Sequence, residues 1–247
     1  VASASSGRVM SAPLEIVGER KDVSLTRAIG LIFRKDILIE WRSKSRLVGM
    51  SCYAITLLML FAFAVGPDPV MLQKHASAYV WMSVVTVSTL LLSQSFQNEL
   101  ESDALEGLLL VPVPPAAIFY GKALSNFIWI LLLELVSLPF AVLLFQLDLT
   151  TSPLQFLAVL LLGAGGVAAP GTLYAGLTGR LASQQLMLPV LLFPLLIPTV
   201  LSAVKATNLI IDHDPFDQIS AWFAVMCAFN AIYWVLCGVM FSKVVDE

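Results

Sequence analysis

Long apolar runs without a charged side chain limit most strongly how this chain can fold. Five such runs occur, at residues 47–65, 76–96, 154–178, 186–204 and 219–242. A sixth run, residues 123–145, is interrupted only by Glu134. About 20 helical residues cross the ~30 Å hydrocarbon core of a bilayer. The sequence therefore predicts six transmembrane segments.

The composition of the chain supports a membrane protein and favours helices. Hydrophobic residues make up 58% of the 247 residues and charged residues only 13%, whereas soluble domains average about 25% charged residues. Lipid cannot satisfy backbone hydrogen bonds, so spanning segments are helices or closed barrels. Unbroken apolar runs lack the alternation of a membrane barrel. We predict an all-α integral membrane protein with six transmembrane helices.

Basic residues are distributed unevenly over the segments between the predicted spans. If both termini, segment 97–122 and loop 179–185 share one side of the membrane, only Lys74 and Lys205 lie on the other side. The remaining twelve of the 14 Lys and Arg residues then share the first side. Cytoplasmic loops carry an excess of Lys and Arg, so both termini are predicted to be cytoplasmic.

A polar insert at residues 97–115 separates the second predicted span from the third. It carries no basic residue and four acidic ones: Glu99, Glu101, Asp103 and Glu106. Asp103, followed by Glu106 and the apolar residues 108–111, has the form of a capped helix start. Pro112 and Pro114 then prevent continuation. We predict a short helix at the membrane surface, suited to docking a soluble partner.

Residues 23–45 are predicted to form a cytoplasmic helix that leads into the first span. Its apolar residues recur at helical spacing: Leu25, Ile29, Ile32, Phe33 and Ile37. One interpretation is an interfacial elbow helix, with Trp41 at headgroup level and basic residues near anionic lipid. The alternative is a basic topology signal with some helicity. Glu40 and Lys44 are spaced for an i,i+4 ion pair.

Small residues and prolines distinguish the fourth and fifth spans. The fourth carries five glycines, Gly163, Gly165, Gly166, Gly171 and Gly176, and such residues let helices approach closely. These glycines allow either close packing within the chain or contact between two copies of it. The fifth carries Pro189, Pro194 and Pro198, which predict a kinked or broken helix that borders a translocation route or is bent merely to fit. Tyr79 and Trp81 are predicted to join an outer aromatic belt.

Glu134 is the one ionisable residue well inside a predicted span. An acid at the bilayer centre costs about 2.5–3.5 kcal/mol on insertion scales, so Glu134 should face protein or a water-filled cavity. No Lys or Arg lies in a predicted span to pair with it. We expect a neutral carboxyl that is hydrogen-bonded to a group such as Ser137 or Asn126, or to another subunit. A structural role and a direct part in transport both remain open.

No catalytic residue or metal site is predicted. The chain has no G-x-x-x-x-G-K-[ST] loop, so it is not expected to bind ATP in that manner. The histidines, His75 and His213, lie in predicted external loops without a recognisable nucleophile. Acidic residues flank His213, but we interpret that loop as solvated, because no second ligand cluster accompanies it.

Several short motifs in a fixed order carry a family resemblance. They are Arg34-Lys35-Asp36, Glu40-Trp41-Arg42, residues 63–67, Phe96, Asp103, Leu105-Glu106-Gly107, Gly121-Lys122 and residues 188–206. In this order and spacing they resemble the CcmB, or haem exporter protein B, family of membrane subunits. The resemblance covers about residues 25–245.

The resemblance implies a permease subunit of an ABC transporter complex, of the ABC-2 exporter type, that acts in c-type cytochrome biogenesis. Such a subunit couples a partner ATPase to haem handling or to release of a haem chaperone. The implied partners are a cytoplasmic ABC ATPase (CcmA-like), a haem-handling membrane subunit (CcmC-like), a small accessory subunit (CcmD-like) and the chaperone (CcmE-like). ATP would be bound by the ATPase and haem by partner subunits, with no cofactor on this chain.

The implied location is the bacterial inner membrane, with two copies of this chain in each complex. Three regions follow: a flexible cytoplasmic N-terminus (1–22), the elbow helix (23–45) and a six-helix transmembrane domain (46–247) with a coupling segment at 97–115. The implied ATPase contact is Glu99, Glu101, Asp103, Ala104, Leu105, Glu106, Gly107 and Leu108. The implied elbow residues are Arg34, Lys35, Asp36, Glu40, Trp41 and Arg42.

Three alternatives remain. The first is the permease of another ABC-2 exporter, moving lipid, drug or polysaccharide. The second is a proton-coupled secondary carrier that uses Glu134, against which stand the single intramembrane acid and the lack of visible duplicated halves. The third is a membrane scaffold that transports nothing.

Overall fold

The computed structural model describes residues 24–42, 44–96, 114–147, 152–179, 184–212 and 218–246. Seven helices account for nearly all of these residues. They are α1 (Leu25–Arg42), α2 (Lys44–Val65), α3 (Pro69–Gln94), α4 (Pro115–Phe145), α5 (Pro153–Thr178), α6 (Gln184–Ile211) and α7 (Ile219–Asp246).

Helices α2 to α7 form the membrane domain. Each is long and apolar enough to cross a bilayer, and each coincides with one of the six predicted spans. The all-α prediction is therefore confirmed for the described residues, and the protein is a multi-pass membrane protein. The run interrupted by Glu134 belongs to one continuous helix, α4, of 31 residues.

Proline and cap residues determine where several helices begin and end. Pro69, Pro115 and Pro153 occupy the first turns of α3, α4 and α5. Backbone N–H groups in the first turn have no acceptor within the helix, so proline, which lacks an N–H, costs no hydrogen bond there. The side chain of Asp68 accepts a hydrogen bond from the Val70 N–H at 3.0 Å and caps α3. Helix α4 ends at Phe145, and the next residue, Gln146, has a left-handed φ of 54° that prevents the helix from continuing.

Helix α5 lies at the centre of the bundle and contacts α3, α4, α6 and α7. A Cβ atom at Gly163 would overlap the Trp81 ring of α3, and one at Gly166 would overlap Thr199 of α6. The small-residue face of α5 therefore packs within the chain, which decides between the two alternatives left by the sequence.

Trp81 faces the interior of the bundle and does not join an aromatic belt. Its side chain is 2% exposed, and its Nε1–H donates to Thr207 Oγ1 of α6 at 3.0 Å. The belt prediction is wrong for this residue. The reason is that Gly163 leaves room for the indole ring between α3 and α5.

Helix α6 is continuous across Pro189, Pro194 and Pro198, which excludes the broken form of the predicted kinked or broken helix. Two carbonyl groups near these prolines also accept hydrogen bonds from side chains. The Tyr233 hydroxyl of α7 donates to the Leu195 carbonyl at 2.6 Å, and Ser202 Oγ donates to the Pro198 carbonyl at 2.6 Å.

The predicted 23–45 helix is divided in the structure, because α1 ends at Arg42 and α2 begins at Lys44. Helix α1 packs along the first half of α4 through Ala28 and Ile32, which are buried. A Cβ at Gly121 of α4 would lie only 2.7 Å from Ile32 Cγ2. The absence of a side chain at Gly121 therefore permits the close approach of α1.

Candidate functional site

Lys122 is a buried cation at the end of the bundle where α3 ends and α4 begins. Its side chain is 1% exposed, and its Nζ lies 3.3 Å from Asp36 Oδ2 of α1. Nζ also donates to the Ser95 carbonyl at 3.0 Å and lies 4.6 Å from the centroid of the Phe96 ring. One side chain of α4 thus contacts α1 and the residues that follow α3.

These contacts explain why an ammonium group can be buried here. A charge removed from water needs an opposite charge and hydrogen bonds, and Asp36 and the Ser95 carbonyl supply them. The Phe96 ring adds a cation–π contact. Asp36 also pairs with Lys35, whose Nζ lies 3.0 Å from Asp36 Oδ1. We call Asp36, Ser95, Phe96 and Lys122 the junction cluster.

A second ion pair crosses the boundary between α1 and α2. Arg46 Nη1 donates to Glu40 Oε2 at 2.9 Å. Burial raises the pKa of the Glu40 carboxyl above its ordinary value, and the positive charge of Arg46 opposes that rise. The predicted partner was Lys44, whose side chain lies outside the described residues. Arg46 holds Glu40 at the turn between the two helices.

A small polar cavity lies between the junction cluster and this second pair. It has a volume of about 30 Å³, which is enough for one or two water molecules. Its polar lining comprises Asp36, Glu40, Arg46, Ser95, Ser125, Asn126 and Trp129. The Trp129 ring also lies 6.4 Å from Trp41, between ring centroids. The cavity suits water and is too small for an organic ligand.

Glu134 lies deeper in α4 and is 2% exposed. Neither carboxyl oxygen has a hydrogen-bond partner among the described residues. Asn126 donates to Thr172 Oγ1 at 2.9 Å, and Ser137 Oγ donates to the Leu133 carbonyl at 2.8 Å. Ser137 Oγ also donates to the backbone carbonyl of Glu134 at 3.1 Å. The prediction that Asn126 or Ser137 would bond the Glu134 carboxyl is therefore wrong.

Lys122 does not neutralise Glu134, although both belong to α4. Because α4 begins at Pro115, it contains a lysine that the predicted run 123–145 excluded. Twelve residues at 1.5 Å per residue separate the two by about 18 Å along the axis. The contacts of Lys122 are with the residues before the insert and with α1.

An open apolar groove lies between α3 and α6. Its volume is about 440 Å³, and Met82, Thr86, Phe193 and Ile197 are among its lining residues. The proline-containing helix therefore borders this groove, and the interpretation that it borders a translocation route stays a prediction. Nothing in its lining points to a particular occupant.

Comparison with known proteins identifies the family. The family described as CcmB protein matches residues 27–246. The chain therefore belongs to the CcmB family. Its relatives include proteins named Heme exporter protein B from Bradyrhizobium diazoefficiens, 29% identical over 85% of this chain and 93% of the relative, and from Pseudomonas aeruginosa, 25% identical over 83% and 91%. The Heme exporter protein B of Escherichia coli strain K12 is 28% identical over 81% of this chain and 90% of the relative.

The CcmB match includes most of α1 and all six spanning helices. The elbow residues of this CcmB-family chain divide into two groups. Asp36 and Glu40 form the ion pairs described above, and Lys35 contacts Asp36. Arg34, Trp41 and Arg42 are exposed, which is compatible with the interfacial interpretation. Their contact with lipid stays a prediction.

The predicted ATPase contact, Glu99 to Leu108, lies outside the described residues. Residues 213–217 of the external loop, which include His213, also lie outside the described residues. What sequence reasoning missed is the burial of Lys122, which was counted only as a basic residue of the cytoplasmic side. The available signal was the Gly121-Lys122 pair, because a glycine beside a lysine at the start of an apolar helix allows another element to cover the lysine.

Proposed function

We propose that this chain is the permease subunit of an ABC transporter complex that acts in c-type cytochrome biogenesis. It couples ATP hydrolysis by a partner to haem handling or to release of a haem chaperone. The observation that carries this proposal is the CcmB-family match across the whole membrane domain. Relatives named Heme exporter protein B, which this chain covers over about nine-tenths of their length, support the same function.

The proposed complex divides the chemistry among its subunits. A separate cytoplasmic ATPase binds and hydrolyses ATP, since this chain carries no P-loop sequence. Haem is held by a haem-handling membrane subunit and by the chaperone, and a small accessory subunit completes the set. This chain is a transporter component in the bacterial inner membrane, with both termini cytoplasmic.

The acidic insert is the proposed docking site for the ATPase. It is the longest polar segment between two spans and contains an amphipathic sequence, Asp103 to Leu110. Two ATPase subunits require two permease halves, so we propose two copies of this chain in each complex. The elbow helix α1 and the junction cluster flank the point at which the insert joins the bundle.

Affinity purification of the tagged chain from its own membranes, followed by mass spectrometry, tests the proposal. We expect an ABC ATPase together with haem-binding membrane subunits, and loss of c-type cytochromes when the gene is deleted. An ATPase without haem-handling subunits would favour another ABC-2 exporter. Transport activity of the isolated chain without an ATPase would favour the secondary carrier. Either of the last two results contradicts the proposal.

A further inference from the structure

The insert is joined to the membrane domain at two positions, after Phe96 and before Pro114. A force that a partner applies to the insert reaches the bundle at least through these two covalent connections. Phe96 is 2% exposed and lies under the ammonium of Lys122. Helix α4 begins at Pro115, and Lys122 follows seven residues later, about 10.5 Å along the helix axis. Lys122 is therefore close to both connections.

The same side chain reaches the elbow helix. Lys122 Nζ lies 3.3 Å from Asp36 Oδ2, and the neighbouring Gly121 packs directly against Ile32. The polar contact and the apolar contact therefore fall on adjacent residues of α4. Both hold α1 against the start of α4.

The burial of Lys122 makes these contacts interdependent. An ammonium has three N–H donors, and at 1% exposure they depend on protein acceptors and on the small cavity nearby. Displacing Ser95 or Asp36 would leave a buried charge poorly paired, which is strongly unfavourable. A displacement of one connection of the insert is therefore opposed unless α1 and α4 move with it.

We propose that Lys122 is a positioning residue that makes α1, the start of α4 and the end of α3 move as one unit when the partner ATPase acts on the insert. This inference rests on the proposed function. The unit converts a displacement of the insert into a displacement of the elbow helix and of α4. Lys122 contacts neither ATP nor haem in this role.

The test uses the whole complex purified with its ATPase, and three variants of this chain. Lys122→Met removes the charge and keeps the length of the side chain, and Asp36→Asn removes the opposite charge. The third variant combines both changes. Lys205→Met is the matched control, because Lys205 is an exposed lysine of α6 with no contact to the junction cluster.

The first measurement is the amount of mature c-type cytochrome formed per ATP hydrolysed. We expect it to fall about two- to thirty-fold in Lys122→Met, the range in which such substitutions change coupling, while ATP hydrolysis continues. The double variant should be no worse than the worse single variant, because paired residues show non-additive effects. Lys205→Met should match the parent.

The second measurement is the distance between spin labels at Leu31 of α1 and Leu124 near the start of α4, both exposed. The three native cysteines are replaced, and labelled chains are diluted with unlabelled ones. The parent complex should give one narrow distribution with and without nucleotide. Lys122→Met should broaden it or make it depend on nucleotide, and Asp36→Asn provides the same test if Lys122→Met does not accumulate.

Three outcomes overturn the inference. They are an unchanged yield per ATP in both single variants, additive effects in the double variant, or a narrow, nucleotide-independent distance in Lys122→Met. Failure of the proposed function would look different, because the parent chain would then purify without an ATPase or without haem-handling subunits.

Discussion

Glu134 shows how a single residue can reverse an expectation drawn from the sequence. A carboxyl that joined helices through hydrogen bonds would make Glu134→Leu disruptive. In the structure Ser137 bonds to its own helix and Asn126 to Thr172. Neither carboxyl oxygen has a partner within the described part of the chain. Burial of the carboxyl therefore costs desolvation free energy, and no hydrogen bond within the described residues offsets that cost. This favours a functional role for Glu134.

We predict that Glu134→Leu leaves the subunit as stable as the parent or more stable. A buried polar group without a partner costs about 1–3 kcal/mol, and leucine removes that cost. The measurement is thermal denaturation of the purified complex, with Glu134→Gln in parallel. If both variants assemble but lose cytochrome maturation, the carboxyl acts in transport. A large loss of stability in Glu134→Leu alone would instead point to a bonding partner on another subunit.

Gly163 provides a second prediction at the level of one residue. A Cβ there would overlap the Trp81 ring, which is buried and bonded to Thr207 and has little room to move. We expect Gly163→Ala to destabilise the chain by about 1–3 kcal/mol, the usual range for overpacking. Gly49→Ala is the control, because nothing lies within 4 Å of its Cβ position. Equal unfolding midpoints for the two variants would show that α3 and α5 are less tightly packed than described.

The helices themselves were largely predictable, and the pairing of their faces was not. Six apolar runs predicted the six spans, because lipid requires length and hydrophobicity that are visible in the sequence. The packing of Trp81 into the space at Gly163 depends on two residues far apart in the chain. The burial of Lys122 was not predictable for a similar reason. The positive-inside rule indicates on which side of the membrane a lysine lies and gives no information on whether it is buried.

The insert was predicted from its acidic residues, its capping pattern and its prolines. Leu105→Asp together with Leu108→Asp should leave the spans inserted but detach the ATPase or uncouple its hydrolysis, because both leucines would lie on the apolar face of the predicted helix. Co-purification of the ATPase measures this outcome. Val70→Asp, exposed at the opposite end of α3, is the control. Full assembly and activity of the double variant would show that the segment is only a loop.

At the scale of the whole molecule, the seven helices of the described residues form a bundle with two ion pairs at one end. Asp36, Glu40, Arg46 and Lys122 all lie where α1 meets α2 and α4. The connection between α3 and α4, which contains the acidic insert, leaves the bundle at the same end. A partner that binds the insert therefore acts close to the polar contacts that hold α1, and far from the groove between α3 and α6.

The orientation of this bundle gives the last prediction. Twelve of the 14 basic residues share one side when both termini and the insert are placed together, so we predict that this side is cytoplasmic. Single cysteines at Glu101 and at Asp212, in a background without the three native cysteines, should react with a membrane-impermeant maleimide from opposite sides. Intact spheroplasts should label only the Asp212→Cys variant, and inverted vesicles only the Glu101→Cys variant. Asp212 follows α6 directly and is exposed, so its accessibility does not depend on a long loop. The six-span arrangement has three membrane crossings between residues 101 and 212. Labelling of both positions from the same side would require an even number of crossings there and would overturn the six-span arrangement.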